Sequence, residues 1–484
     1  MEDLYNKMID NPTIVDLSSS VKHRLGFKKE DKKFVNEILK QSFTMFYDQY
    51  VLINYSEDDK FYVEDVIDPF DNYLELIMYL IPCFHMLGDT LGYKNGEWEF
   101  NFDTPAKEVT ASLTSEFIFR FLALGGVNDI SLRNWRYSDD SLMYLATLEV
   151  ANKHSNNLTE FCEALKIAYV NLIPDLETRH PGTTTMQSLL MLRDGTAWNA
   201  INYNSMAIGS GTSMRTGCLG IIFCGIRNRR KLMISSIEAS RITHNSAIAI
   251  LGGLTSALFT AYAIEQVPIN YWPHYLVEFI RTNEIDDYLK ESRPNEYPFY
   301  QRDKVIFLSK WEKYLTLRFN GIDKKIDQKS ISNPISRIQF LANNFSRIEN
   351  SFFPGACADD SVIMAYDALL ESNGSFEKVI VNSALHPGDS DTVGSIALGW
   401  FIGCFFSLKN YSISYRMLVE LEKFNYWDDV LKKIMKTQLP LAQNEMYHDI
   451  FYIRTMDLVK LTEPYNEFDD LKKLHIIPYP DKKK

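Results

Sequence analysis

The chain has 484 residues, 46% apolar and 24% charged, which is enough for one large domain with additions around a substantial core. Its formal net charge of −12 lacks the basic footprint that nucleic acid or an anionic membrane surface selects, so neither is expected as a partner. An anionic ligand on such a chain needs a local device, such as a bound cation or a helix N-terminus.

Residues 1–70 are charge-rich and read as an N-terminal extension of unassigned role. They hold one amphipathic pattern, around Phe34, Ile38, Leu39, Phe43 and Phe46 within 29–55, and an acidic linker at Ser56-Glu57-Asp58-Asp59. From Asp71 the texture changes. Apolar residues recur at helical spacing in Tyr73–Leu87, Leu142–Val150, Leu158–Ile173, Leu232–Ala239, Tyr275–Leu289, Val305–Leu317, Val362–Leu370 and Met417–Ile434. Period-two alternation is scarce, and Gly and Pro collect between these segments, as in Gly92–Gly96, Pro181-Gly182, Gly209–Gly217, Pro354-Gly355 and Pro387-Gly388. The expected fold is all-α, with the main domain over 71–430 and function on its loops. Beyond it, 431–484 reads as a C-terminal extension with a further helix over 441–463 and an extended tail from Leu471.

Two uncharged runs, Ala247–Ile264 and Val393–Leu408, raise the question of a membrane span. Both are rich in Gly, Ala, Ser and Thr and follow polar motifs, so they are read as helices of a large core. The six cysteines, Cys83, Cys162, Cys218, Cys224, Cys357 and Cys404, form no CxxC pair, which argues for reduced thiols rather than disulfides or zinc ligands. No basic and then apolar leader follows Met1, and a cytoplasmic protein is expected.

The chemistry-bearing residues are acidic. Ser138-Asp139-Asp140-Ser141 precedes the apolar run at Leu142, and alone it reads as an ordinary helix start, with Ser138 as N-cap and two carboxylates in the first turn. Gly388-Asp389-Ser390-Asp391-Thr392 repeats the design at the mouth of a core helix. Carboxylates crowded against an apolar interior repel one another unless a cation sits among them. The candidate ligands Ser138, Asp139, Asp140, Asp389, Asp391 and Thr392 are all oxygens, which suits Mg²⁺, Mn²⁺ or Ca²⁺ rather than Zn²⁺. If the clusters meet, four carboxylates and two hydroxyls suffice for two metals. Gly209-Ser210-Gly211-Thr212-Ser213-Met214-Arg215 is a small-residue loop able to approach a phosphate through backbone N–H groups, although it has the spacing of neither a P-loop nor a dinucleotide fingerprint. Thr243-His244 stands at the opening of the first apolar run.

In order, GDTLGYKNGEWEF (Gly88–Phe100), LGG…RNWRYSDDSLMYLAT (Leu124–Thr147), RHPGTTT (Arg179–Thr185), GSGTSMR (Gly209–Arg215), SRITHNSAIAILGGLTSALFTAYAIE (Ser240–Glu265), KWEKYLTLR (Lys310–Arg318), IMAYDALL (Ile363–Leu370) and HPGDSDTVGSIA (His386–Ala397) resemble the ADP-ribosylglycohydrolase family, and most closely its eukaryotic ADP-ribosylarginine hydrolase branch. The resemblance covers roughly Asp71 to Tyr426. It implies a compact all-α fold, two Mg²⁺ ions (Mn²⁺ as a substitute) held by Ser138, Asp139, Asp140, Asp389, Asp391 and Thr392, and a monomer acting on ADP-ribosylated protein. Asp139, Asp140 and Asp391 become candidates for the catalytic base. ADP-ribose contacts are implied at Glu99, Gly182, Thr183, Thr184, Thr185, Gly209, Ser210, Gly211 and Met214, with His244 a further candidate. The implied reaction is Mg²⁺-dependent hydrolysis of the N-glycosidic bond of ADP-ribosyl-arginine; the rivals are release from serine or from an O-acetyl ester, or ADP-ribose binding without turnover. One stretch departs from the pattern: Phe353–Asp360, where relatives carry a Gly/Ser-rich loop, reads FPGACADD and places the affinity and acceptor preference in question. His386-Pro387 is a milder departure.

Overall fold

A computed structural model describes residues 73–100, 107–319, 331–346, 354–406 and 408–438. The patterns read over 29–55, at 56–59 and over 441–463 lie outside these residues. Helices are α1 (Tyr73–Tyr93), α2 (Lys107–Ala123), α3 (Asp139–His154), α4 (Leu158–Leu176), α5 (Thr183–Arg193), α6 (Arg229–Arg241), α7 (Ala247–Ile264), α8 (Trp272–Arg281), α9 (Glu284–Ser292), α10 (Tyr297–Arg318), α11 (Pro334–Phe345), α12 (Ala358–Ser372), α13 (Phe376–Ser383), α14 (Ser390–Phe405) and α15 (Leu408–Val419). A last helix, α16, covers 424–438. Among the described residues the only extended pairing is an isolated bridge between Gly209 and Cys357, so the all-α expectation holds. The described residues within 78–406 and 416–438 form one compact unit, which contains the whole site; Tyr73–Ile77 and 408–415 cluster separately.

The centre of the large unit is α7. All eighteen of its residues are buried, and α6, α10, α12 and α14 pack around it. A helix apolar on every face has to be enclosed, and here the enclosure is protein. Phe259 sits among the rings of Trp272, Trp311, Tyr366 and Trp400, with centroids 5.1–5.7 Å apart. Ser246, rather than Thr243-His244, caps α7: its hydroxyl accepts from Ala249 N–H. Thr243–Asn245 therefore form the turn between α6 and α7. The six cysteines are free, five of them buried.

Beneath the central helix runs a buried ionic knot. Asp367 on α12 accepts from Arg318 Nε at 2.7 Å, Arg337 Nε at 2.6 Å and the Tyr314 hydroxyl at 2.7 Å. The two guanidiniums tie α10 and α11 to α12, and a carboxylate so buried is tolerated because both its oxygens have a cation or hydroxyl facing them.

Two sequence expectations are corrected. The single helix over Tyr275–Leu289 is two, because Thr282 turns extended and returns its hydroxyl to the Phe279 carbonyl at 2.7 Å. The helix over Met417–Ile434 breaks at 420–423, where Lys423 has φ +55°. That turn is held open by its carboxylates: Glu420 accepts from Leu132 N–H and Arg133, and Glu422 accepts from Arg179. Helical periodicity carries no record of such side-chain demands.

Candidate active site

The last two turns of α1 form the abutment on which the site is assembled. Gly88 and Gly92 face α14 so closely that a Cβ at Gly88 would stand 2.2 Å from the Gly394 carbonyl oxygen, and one at Gly92 would stand 2.3 Å from that of Ser390. The Ser390 hydroxyl closes the contact by donating to the Gly92 carbonyl at 2.9 Å. Between the glycines, Asp89 turns the other way. Its Oδ1 accepts from Ser138 N–H at 2.8 Å, and its Oδ2 from Ser141 N–H at 2.9 Å and the Ser141 hydroxyl at 2.5 Å. One helix end thus fixes the start of α3, with Ser138-Asp139-Asp140, and the start of α14, with Asp389-Ser390-Asp391-Thr392.

Ser138 is the N-cap of α3, its hydroxyl accepting from Asp140 N–H at 3.1 Å. Asp139 and Asp140 follow in the first turn, both buried. On α14, Asp391 Oδ1 accepts from Thr392 N–H at 2.9 Å, and Asp389 Oδ2 accepts from the Ser210 hydroxyl at 2.7 Å. Ser395, one turn into α14, reaches Asp140 Oδ2 at 3.4 Å and marks where the clusters meet. Burial and then the charge of Asp391 push Asp139, Asp140 and Asp389 well above the usual carboxylate range. Asp89 is pushed to about 7 by the same two causes, with its hydrogen bonds opposing. Glu99 is also raised, by burial first and then by the charge of Asp391.

Negative charge is therefore concentrated where water cannot screen it. A buried cation, Arg215, acts on Asp139 but is held by the Ala239 carbonyl at 2.9 Å, the Thr243 hydroxyl at 2.8 Å and the Gly211 carbonyl. A buried all-oxygen donor set with uncompensated charge fits a hard divalent cation.

The predicted ligand-binding residues converge beside this cluster. A Cβ at Gly211 would lie 2.8 Å from His244 Cε1 and 3.0 Å from Thr185 Oγ1, which places three separate sequence islands in contact range. His244 Nδ1 pairs with the Thr243 hydroxyl at 2.8 Å, and burial and Arg215 lower its pKa to about 3, so the ring is neutral. Gly182 is the N-cap of α5, with Thr183, Thr184 and Thr185 in its first turn. Met214 and Ser213 sit in the one-turn helix after Gly211, and Ser213 is joined to Ser361 at 2.8 Å. The divergent 354–360 segment lies against the same loop: Ser210 N–H donates to the Ala356 carbonyl, Ala358 N–H to that of Ile208, and Asp389 N–H to that of Pro354. Pro354 thus supports the second cluster through its carbonyl, which a proline retains.

Among the described residues, the group whose donor atoms all lie within 4.8 Å of one another is Cys357, Asp359 and Asp360, at the start of α12. Lys310 Nζ stands 3.0 Å from Asp359, which gives this group a counter-cation in the protein itself and reads as an ion-paired helix start.

Asp89, Arg215 and Arg179 were assigned no role from the sequence. Arg179 donates to the Tyr137 carbonyl at 2.6 Å and to Glu422, tying the segment before Ser138 to the loop before Gly182. A signal for Asp89 existed: an acidic residue near the C-terminal end of an apolar helix opposes the helix dipole and needs another reason to be there.

The ADP-ribosylglycohydrolase family model matches residues 85–445. The L444 protein of Acanthamoeba polyphaga mimivirus, assigned by name to the ADP-ribosyl glycohydrolases, is 45% identical over 376 residues, covering 76% of this chain and 71% of that protein. The ADP-ribosylhydrolase ARH1 of Dictyostelium discoideum is 32% identical over 359 residues, covering 69% of this chain and 89% of its own. A solved ADP-ribosylglycohydrolase-related protein complex overlaps 75% of this chain and 99% of its own at TM-score 0.45 and 14% identity, a likeness too slight to add weight. On the family match and the two sequence relatives, the chain belongs to the ADP-ribosylglycohydrolase family.

Proposed function

We propose that the chain hydrolyses the N-glycosidic bond between ADP-ribose and an arginine side chain on a protein, with Mg²⁺. The observation that carries this reading is the convergence of two buried carboxylate clusters beside the Gly211–His244–Thr185 contact. Ser138, Asp139, Asp140, Asp389, Asp391 and Thr392 would hold two Mg²⁺ ions, or Mn²⁺ in their place. Such ions supply positive charge that orients ribose hydroxyls and acidifies a water.

The protein's own groups do the rest. A carboxylate from Asp139, Asp140 or Asp391 takes the proton of the attacking water, and the ring at C1″ passes through an oxocarbenium-like state as the bond to the guanidine nitrogen breaks. The pyrophosphate needs donors without bulk, and the backbone of Gly209–Met214 offers N–H groups at the start of a short helical turn. Arg215 donates to the Thr243 hydroxyl, whose hydrogen then points to His244 Nδ1; in that tautomer Nε2 carries its hydrogen toward Gly209 and Gly211. His244 is then a neutral donor on the ligand side, and its low pKa removes it as the acid for the leaving nitrogen. The named relative from Dictyostelium supports ADP-ribosyl hydrolysis in general; arginine as the acceptor rests on the likeness of the NGEWEF and RYSDD stretches to the arginine branch, in which Glu99 feels the charge of Asp391.

The test is release of ADP-ribose from arginine- and serine-modified peptides, with Mg²⁺ or EDTA, for the wild type and Asp391→Ala. Release from arginine alone, abolished by EDTA and by the substitution, is expected. Release from serine, or tight ADP-ribose binding without turnover, replaces this reading.

A further inference from the structure

Glu99 is buried, its side chain only 4% exposed, yet its two neighbours differ sharply in setting. On the inner side is Asp391, whose charge acts on it. On the outer side is His180, whose Nδ1 lies 3.1 Å from Glu99 Oε1 while the side chain as a whole is 64% exposed. The imidazole thus forms the rim of the site, and Glu99 joins that rim to the second carboxylate cluster.

The chain goes to some expense to keep His180 there. Its backbone is left-handed, with φ +56°, a conformation that crowds the Cβ of an L-residue. The residue before it, Arg179, is locked by Tyr137, Asp175 and Glu422, and the loop that follows enters α5 at Gly182. Opposite the ring, Lys94, Asn95 and Gly96 are three consecutive left-handed residues. Gly96 has φ +83°, and a Cβ there would stand 2.5 Å from His180 Cε1. Tyr93 meets the imidazole edge-on, with centroids 5.7 Å apart. Two loops thus adopt uncommon backbone conformations around one exposed ring. Strain concentrated in this way marks a geometry maintained for function.

We propose that His180 is a positioning residue for the glycosidic cleavage, holding the Glu99 carboxyl group between the rim and Asp391. This rests on the hydrolase reading above. Glu99 has no other side-chain partner on its outer side among the contacts described, so without the ring its carboxyl group turns about its last torsion, and water takes the vacated place. Misplacing a group at a reacting centre costs turnover more than binding. ADP-ribose itself is held mainly elsewhere, at the Gly209–Met214 and Gly182–Thr185 loops.

The test compares wild type, His180→Ala, His180→Gln and Gly96→Ala in the full chain with Mg²⁺. It reads kcat and KM on the arginine-modified peptide, the Kd of free ADP-ribose and the melting temperature. His180→Ala lowers kcat roughly tenfold with KM and ADP-ribose Kd within about twofold of wild type. His180→Gln, whose amide can pair with Glu99 in place of Nδ1, restores kcat to within about threefold of wild type. Gly96→Ala displaces the ring without removing it and follows His180→Ala. Unchanged kcat in His180→Ala overturns the proposal while leaving the hydrolase reading intact. So does a fall in kcat that Gln does not rescue or that ADP-ribose affinity follows. A wild type that releases nothing from any modified peptide removes the hydrolase reading, and the role of His180 with it.

Discussion

Asp89→Asn tests whether the end of α1 is the common support of both clusters. In the wild type, two carboxylate oxygens take three donors from Ser138 and Ser141. An asparagine keeps one oxygen, so its NH₂ must face at least one of those donors. The least costly orientation keeps the Ser141 pair and leaves Ser138 N–H without an acceptor. A lost hydrogen bond to a charged group costs about 1.5–3 kcal/mol, and a buried N–H left unpaired costs about 1–3 more, so about 3–5 kcal/mol is expected. Over the roughly 360 residues matched by the family, an unfolding entropy of about 2.1 cal/mol/K per residue gives on the order of 0.75 kcal/mol/K, and hence a drop in Tm of about 4–7 °C. Removing a charge near Asp391 also relieves repulsion, so the melts are compared at saturating Mg²⁺, where that relief is absent. Calorimetric titration with Mg²⁺ should show weaker binding as well, because the start of α3 moves. A variant with a Tm within about 1 °C of wild type and unchanged Mg²⁺ affinity refutes the support role.

Two further outcomes follow from the electrostatics. Burial and repulsion raise Asp89, to about 7, and also Asp139, Asp140 and Asp389, so the folded chain without a cation binds these protons more tightly than the unfolded one. The stability so gained is complete below the unfolded carboxylate pKa and is lost as pH rises through the folded values, so the gain in Tm on adding Mg²⁺ should be larger at about pH 8 than at about pH 5; an equal gain counts against a cation among these groups. Arg337→Met removes one of the two guanidiniums on Asp367 and the donors to the Met364 and Asn382 carbonyls, and is expected to cost about 3–5 kcal/mol in a denaturant melt without altering the Mg²⁺ requirement of the remaining folded enzyme.

The fold class was legible because its signal is periodic: α4, α7, α10, α12 and α14 each declare an apolar face or an apolar body over several turns. Ser138 as a cap and the two acidic first turns were legible too, since capping chemistry is local. One failure was local, the break at Thr282; the other came where a side chain hundreds of residues away decides the backbone. Glu420 and Glu422 open the turn before α16 because Leu132 and Arg179 draw on them, and no window of sequence holds both partners. The same reason hid Asp89, whose partners Ser138 and Ser141 lie some fifty residues on, and most of the work of Arg179, whose partners Tyr137 and Glu422 lie across the chain. The helices α2, α5, α11 and α13 were passed over, although α11 and α13 space Ile335, Ile338, Leu341 and Phe345, and Phe376, Val379 and Ile380, along one helical face. The candidate ligand-binding loops were named by likeness to the family. That Gly211, His244 and Thr185 lie within reach of one another became visible only in the fold.

The dependence of the site on α1 also has a consequence for synthesis. The contact between Gly92 and Ser390 spans 298 residues of chain. At translation rates of roughly 5–20 residues per second, the acidic start of α3 emerges from the ribosome about 13–50 s before the helix that completes its surroundings. During that interval α1 exposes the glycine face meant for α14, and buried carboxylates lack their enclosing wall. The nascent chain is thus most exposed to aggregation and proteolysis late in synthesis, and slowing translation between the codons for α3 and α14 should lower the yield of folded enzyme more than slowing it after α14.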